Sequence, residues 1–389
     1  MHSGRIVLAQ FFELLPRWNF SQCVARYQGN KRIRSFSCWD QFIVMAFAQL
    51  TGRDSLREIE TCLRAMREKL YHAGLRGSIA RSTLADANEH RDFRIWEDLA
   101  RVLIAEARQL YASESLGRNL KAAAYAFDTT TVDLCLTLFP WAQFRRRKSA
   151  VKLHTLLDLR GSIPCLVCIT AGSVHELHAL DQLTLEPGAY YIMDRGFMDF
   201  ARLHRFVIEG AYFVTRARRR LQHRVVESRA VDKSAGLRAD QTITFTGWLS
   251  HKRYPSELRR VTLRDPKTGK HLVFLTNNFT LAASTIAHLY HKRWDVELFF
   301  KWIKQYLRIK QFFGTSPNAV KTQVWIAMCV YLLAALLKKH LALTQSLGEI
   351  LQILSVTLFE KTPILQAFSC RDLILEQAEN HKPLSLFDI

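Results

Sequence analysis

The sequence predicts an α/β protein in which a mixed-sheet core lies between helical N-terminal and C-terminal regions. Apolar residues recur at helical spacing before about residue 118 and again after 316, whereas the stretch between breaks into short apolar runs. Within that middle stretch a helical segment separates two strand-like runs, the pattern of a crossover between parallel strands. The predicted division is 1–118, 119–316 and 317–389, with a β-rich insertion at about 217–276.

The first region consists of short helices. Apolar positions recur through CWDQFIVMAFAQLTG, SLREIETCLRAM and FRIWEDLARVLIAEARQLY, with Gly52 and Gly77 as breaks and Ser55 as a candidate N-cap. Lys31-Arg32-Ile33-Arg34 and Arg81-Ser82-Thr83 fall at the joins. That suits a DNA-binding head, and a plain helical scaffold nearly as well. Strand-like runs follow at 122–128, 151–159, 162–170, 189–194 and 211–216. Arg160-Gly161 turns the second into the third as an antiparallel hairpin. The helical stretch 197–210, closed by Gly210, makes the fourth and fifth parallel. An arginine-rich run, 216–224, leads to QTITFTGWL and to RRVTLRDPKTGKHLVFLT, a hairpin turning at 265–269.

The next element, Tyr290–Arg308, reads as one helix. At about 100° per residue, Tyr290, Arg293, Glu297 and Lys304 fall within roughly a 60° arc, with Lys301 and Arg308 on the same face. Val296, Leu298, Phe299, Trp302, Ile303 and Tyr306 fill the rest. One carboxylate therefore stands in a line of cations. The final region, 317–389, is helical and less basic, a candidate for pairing subunits.

Composition narrows the partner. With 55 Lys+Arg against 35 Asp+Glu the net charge is +20, which calls for a polyanion: nucleic acid or a membrane surface. The longest uncharged apolar run, Val324–Leu337, has 14 residues, short of the roughly 20 that cross a bilayer, so it reads as a buried helix. No secretory signal is evident, because Gln10, Glu13 and Arg17 interrupt the apolar opening. These readings predict a cytoplasmic, nucleoid-associated protein without a membrane partner. A hydrophobic content of 49% with only 9 Pro and 16 Gly describes a packed chain. Of eight cysteines only Cys165 and Cys168 form a CxxC, with no partner pair at zinc spacing. Buried reduced thiols are expected.

Three acids carry the chemistry. Asp128 ends AAAYAFD, Asp194 ends AYYIMD, and Glu297 lies on the cationic helix. Phosphodiester chemistry can use two divalent ions about 3.5–4 Å apart, and Mg²⁺ favours hard oxygen ligands. Two strand-end aspartates capped by a helical glutamate would make such a site. Each acid alone has a plainer reading. Asp128 before three threonines could cap a turn, and Asp194 in Asp-Arg-Gly could form one. Glu297 could pair with Lys301 at i,i+4 for only ~0.2–0.5 kcal/mol. Asp133 is a rival to Asp128, but its odd offset puts it on the other strand face. Taken together, the three favour metal-dependent chemistry on nucleic acid.

The remaining candidates are basic or aromatic. Arg145, Arg146, Arg147 and Lys148, and likewise Arg216, Arg218 and Arg219, read either as solvated loop charge or as phosphate contacts that would make binding salt-dependent. His154, His175 and His178 lack HExxH spacing and read as structural. Trp294 and Trp302 read as core or groove wall.

Tyr290-x2-Arg293-x3-Glu297-x6-Lys304 resembles the Y(2)R(3)E(6)K signature of family four of the bacterial insertion-sequence transposases, a branch of the DDE transposases. FDTTTVDL resembles its first-Asp motif and IMDRGF its second. The 66 residues from Asp128 to Asp194, and 103 from Asp194 to Glu297, fit a β-rich insertion before the glutamate. GNKRIRSFSCWDQF and FAQLTGRDSLREIE are similar to a head domain in one branch, so the resemblance spans nearly the whole chain.

The resemblance implies an RNase H-like core binding Mg²⁺, with Mn²⁺ as a substitute, through Asp128, Asp194 and Glu297. It implies cleavage of double-stranded transposon ends by activated water and attack of the freed 3′-hydroxyl on target DNA, in a synaptic homodimer. Relatives release the element through a hairpinned end, a route open here as well. Tyr290, Arg293 and Lys304 would contact phosphates near the cleaved terminus. Two other readings remain: an RNase H-like nuclease without strand transfer, and a non-catalytic DNA-binding regulator derived from a transposase.

Overall fold

The structure is a computed structural model and describes residues 4–75, 77–116, 120, 122–146, 148–218, 221–265, 269–306 and 311–369. Helices α1–α7 come first: Val7–Phe11, Arg17–Arg26, Cys38–Leu50, Leu56–Ala65, Arg67–Leu70, Arg81–His90 and Arg94–Tyr111. Strands β1–β4 follow at Ala124–Leu134, Gln143–Arg145, Lys148–Asp158 and Ile163–Ala171. Then come α8 (Leu177–Leu180), β5 (Tyr190–Met193), α9 (Phe200–Ile208), β6 (Tyr212–Arg216), β7 (His223–Arg229) and β8 (Leu237–Phe245). The chain continues through α10 (Trp248–Arg253), β9 (Leu258–Arg264), β10 (His271–Thr276) and α11 (Ala283–Lys292). It ends with α12 (Trp294–Tyr306), α13 (Pro317–His340) and α14 (Leu347–Thr357). Two compact units result: Met1–Leu110 with Trp302–Ile389, and Tyr111–Lys301.

The first unit is helical and joins the two ends of the chain. Caps set its boundaries. Ser55 accepts from the Glu58 amide at the start of α4, and Ser37 with Asp40 forms a capping box on α3. Pro317 opens α13 behind a Ser316 cap. This helix is long and apolar enough to cross a membrane by composition, but nearly all of its most apolar stretch is buried inside the unit. It packs on α3, α6 and α14 as the central helix of that core.

The second unit is one ten-stranded mixed sheet in the order β2-β3-β1-β5-β6-β10-β9-β8-β7, with β4 also paired to β3. The β3–β4 hairpin is antiparallel and turns through Gly161 at φ +71. The β5–β6 pair is parallel across α9, which ends before Gly210 at φ +71. The segment expected as a β-rich insertion, 217–276, carries strands β7–β10 and continues the sheet. Its last strand, β10, lies between β6 and β9 and carries the core sheet onward. Turn residues 266–268 of the predicted hairpin lie outside the described residues.

Alternation divides the sheet into two faces. Tyr125, Phe127, Tyr191, Met193, Phe213, Ile243 and Leu275 form one cluster with Leu203 and Phe206 of α9. Each large apolar side chain buried there contributes about 1.5–3 kcal/mol. The opposite face carries Phe274, whose ring meets that of Tyr290 at 4.9 Å between centroids, so α11 covers that side. Alternation assigns Asp128 and Asp194 to this α11 face, because Phe127 and Met193 point into the other cluster.

Buried thiols were expected, and among the described cysteines Cys23, Cys38 and Cys329 are buried. Cys62, Cys165 and Cys168 are half-buried, Cys165 against the sheet's apolar cluster, and Cys135 is exposed. Cys370 lies outside the described residues.

Candidate functional site

Strand register brings the two aspartates together. β1 and β5 pair in parallel with Phe127 opposite Met193, so Asp128 and Asp194 step off adjacent strands at the same level. Neighbouring strands lie about 5 Å apart. Asp128 is further fixed by the Thr129 amide, which donates to its Oδ1 at 2.8 Å.

The third acid arrives on helix α12, and here the structure corrects the single-helix expectation. Residues 290–306 belong to two helices, with Arg293 at the joint, and 307–308 lie outside the described residues. Arg293 keeps helical dihedrals, but its amide bonds Tyr290 O and its carbonyl accepts from Val296, both three residues away. Tightening to i→i+3 interrupts the regular α-helical ladder. Two of the signature residues, Tyr290 and Arg293, reach the acids. The Tyr290 hydroxyl donates to Asp194 Oδ1 at 3.2 Å. Arg293 donates from Nη1 to Asp128 Oδ2 at 3.1 Å and from Nη2 to Glu297 Oε1 at 2.5 Å.

The loop before α11 is clamped, which positions that helix. Arg259, 3% exposed, binds Asp240 through two bonds of 2.8 and 2.7 Å, and its Nη1 donates to the carbonyls of Leu281 and Asn278. Asn278 Nδ2 donates to Tyr190 Oη, and Asn277 bonds the backbone of Ala211 and Phe213. Strands β5, β6, β8 and β9 thus all hold the segment that carries Tyr290.

Burial and crowded negative charge dominate the electrostatics. Burial pushes the Asp128 carboxyl up to about 6, with Glu297 and Asp194 adding to the rise and Arg293 opposing it. Burial, then Asp194, pushes the Tyr290 hydroxyl up to about 12. Burial opposes the Arg293 charge, yet Glu297, Tyr290 and Asp128 outweigh it and raise its pKa. Arg293 Nε is buried without an acceptor, so one donor of the guanidinium remains available. Three carboxylates supply hard oxygen donors of the kind a divalent cation takes. Among the described residues no three His, Cys, Asp or Glu side chains converge as a finished cation cage. Arg293 sits between two of the acids instead. The donor set fits a divalent cation in chemistry, with Arg293 as its present counter-charge.

Other predicted residues are dispersed. Lys301 is exposed, and Lys304 lies seven residues past Glu297 on α12, beyond the unit boundary. Leu298 and Trp294 are exposed at 49% and 57%, so that helix is less apolar around its circumference than its composition suggested. Trp302 packs edge-on to Tyr331. Arg145, Arg146 and Lys148 are exposed at the β2–β3 hairpin, beside the Leu134–Ser149 end of β1. That is six residues along the strand from Asp128, about 20 Å. Arg216 and Arg218 lie close to Asp194, since Thr215 Oγ1 donates to the Asp194 carbonyl. Arg147, Arg219 and Arg308 lie outside the described residues. Asp133 is exposed on β1. His154 is fully buried between Thr129 and Thr170, whereas His175 and His178 are on the surface.

Sequence reasoning missed Arg195, Arg259 and Arg260. The signal for Arg195 was present in Asp-Arg-Gly but was read as a turn. Nothing local marks Arg259 or Arg260, whose roles depend on strand pairing.

The model of the transposase DDE domain matches residues 120–333, more than half of the chain and all three acids. The chain belongs to the DDE transposase family. It is a transposase, and its sheet is the RNase H-like core of that family. A second model, a domain of unknown function (DUF4372), matches residues 3–76. A Sinorhizobium fredii protein named as a transposase, y4zB, is 30% identical over 72% of this chain and 78% of its own length. A Geobacillus stearothermophilus protein named as a transposase for insertion sequence element IS5377 is 30% identical over 65% of this chain and 66% of its own. One from Synechocystis, named for insertion sequence element IS4SA, is 24% identical over 91% and 96%. Membership implies DNA as partner, and DDE domains generally use divalent metal ions.

Proposed function

We propose that this chain is an insertion-sequence transposase of the Y(2)R(3)E(6)K branch. It binds the ends of its element as a homodimer, cleaves them by Mg²⁺-dependent hydrolysis and joins the freed 3′-hydroxyl to target DNA, with a hairpinned end on the way. It works on the bacterial nucleoid in the cytoplasm. The observation that carries this reading is the linkage of Asp128, Asp194 and Glu297 by Tyr290 and Arg293.

Asp128, Asp194 and Glu297 are the residues that would hold the metal. When bound, Mg²⁺ supplies activation of the attacking oxygen and neutralisation of charge on the phosphate. The protein's own groups do the rest. Arg293, paired with Asp128 and Glu297, exchanges these carboxylate partners for phosphate oxygens as DNA enters. The Tyr290 hydroxyl stays protonated, its pKa near 12, and can donate to a phosphate oxygen at the cleaved end. Lys304, two turns beyond Glu297, extends the same line of donors along the strand.

The test is Mg²⁺-dependent cutting of a labelled duplex carrying the ends of the DNA that flanks the gene. Wild type is run beside Asp128→Ala, Asp194→Ala and Glu297→Ala. Cutting that disappears in all three, a loss of ~10³-fold or more, supports the triad. Cutting that survives in one variant removes that residue from the site. Hydrolysis without joined products favours a plain nuclease, and binding without cutting favours a regulator.

A further inference from the structure

A second charged site lies in the same unit. At the C-terminal end of β6 is a cavity of about 510 Å³ lined by Arg195, Arg216, Arg218, Arg260, Lys270 and His271 among others, with no carboxylate among its described lining residues. Arg195 directly follows Asp194 in the chain. Arg260 and Val273 fall on the sheet face opposite Tyr290, because Arg260 pairs with Leu275 while Tyr290 packs on Phe274, whereas Arg216 pairs with Phe274 itself, so the cavity reaches across the end of the sheet.

Arg195, Arg216, Arg218 and Arg260 make no ion pair among the described residues, although surface arginines elsewhere in the unit, such as Arg202 and Arg205, do. Arg260 is half-buried, and its described side-chain hydrogen bond goes to the neutral Gln241 Oε1 at 2.8 Å. Holding a partly desolvated guanidinium without an anion costs free energy. A concave set of such groups focuses positive potential on whatever enters.

We propose that this cavity, at the C-terminal ends of β5 and β6 beside Asp194, is a phosphate-binding cradle that grips the sugar–phosphate backbone of a DNA strand. The strand passes the C-terminal ends of β5 and β6, so the same duplex meets Asp194 and the cradle together. The inference rests on the DNA reading above and deepens it, adding Arg195 and Arg260 as backbone contacts.

The experiment measures affinity of the full chain for a labelled duplex across a salt series without metal. The proteins are wild type, Arg260→Gln, the double variant Arg218→Gln/Arg260→Gln, and Arg202→Gln, whose charge is paired with Asp181. Each cradle substitution is expected to weaken binding several-fold and to lower the log–log salt slope by about one per lost phosphate contact, while Arg202→Gln keeps the full slope. An unchanged slope in the double variant, with wild type binding normally, overturns the cradle and leaves the transposase reading intact. A wild type that binds no DNA overturns both. A parallel melting series with inorganic phosphate separates the remaining case. Phosphate that stabilises wild type but not the double variant, with DNA slopes equal, makes the cavity a small-anion site and overturns the DNA assignment.

Discussion

Arg259 and Arg260 are neighbours on β9 and point to opposite faces of one sheet. Arg259, on the α11 face, is enclosed by Asp240 and two carbonyls, so its charge is neutralised by the protein itself. Arg260, on the other face, has a neutral amide and an open basic cavity. One face uses positive charge to build and the other offers it to a ligand. His154 shows a third solution: enclosed between two threonine hydroxyls, it stays neutral, its pKa depressed to about 4 by burial.

The comparison can be broken most sharply at Asp240. Asp240→Ala strands a buried guanidinium and is expected to cost about 3–5 kcal/mol of stability, read by denaturant unfolding. A loss under 1 kcal/mol would mean that Arg259 is not enclosed as described.

His154 comes next. Its folded pKa of about 4 lies below the ordinary 6.5, so the unfolded chain binds the extra proton between those values. Its contribution is complete above pH 6.5 and is lost as pH falls toward 4, on the order of 3 kcal/mol in all. His154→Gln should flatten that part of the stability–pH curve, and an unaltered curve would move the pH dependence to other groups.

The smallest effect is expected at Arg260. Arg260→Gln should change stability by less than about 1 kcal/mol while it weakens DNA binding, because no internal partner is lost beyond a neutral amide. A stability loss comparable to that of Asp240→Ala would erase the distinction between the two faces.

The sequence disclosed what is local. Strand-end Asp194, the β3–β4 hairpin and the parallel β5–β6 pair were all legible, because alternation, turn residues and an intervening helix are short-range signals, whereas Asp128, expected at a strand end, lies within β1, which runs on to Leu134. The placement of β10 between β6 and β9 was not, since pairing across distant segments leaves no mark in either strand. The same reason hid the roles of Arg259 and Arg260. Periodicity put Tyr290, Arg293 and Glu297 on one face, and they do converge. It could not foresee the tightened joint at Arg293, where contact with Asp128 and Glu297 competes with a regular helix.

The return of the chain through β10 bears on how such a sheet tolerates change. The excursion leaves after Arg216 and comes back at His271, where Ala217 N bonds Val273 O, so its two ends are neighbours. Lengthening or shortening the hairpins between them costs little more than loop closure, about 0.6 kcal/mol per doubling. Asp194 and Glu297 stay where they are. The hairpin turns are thus free to diverge in length while the chemistry keeps its address.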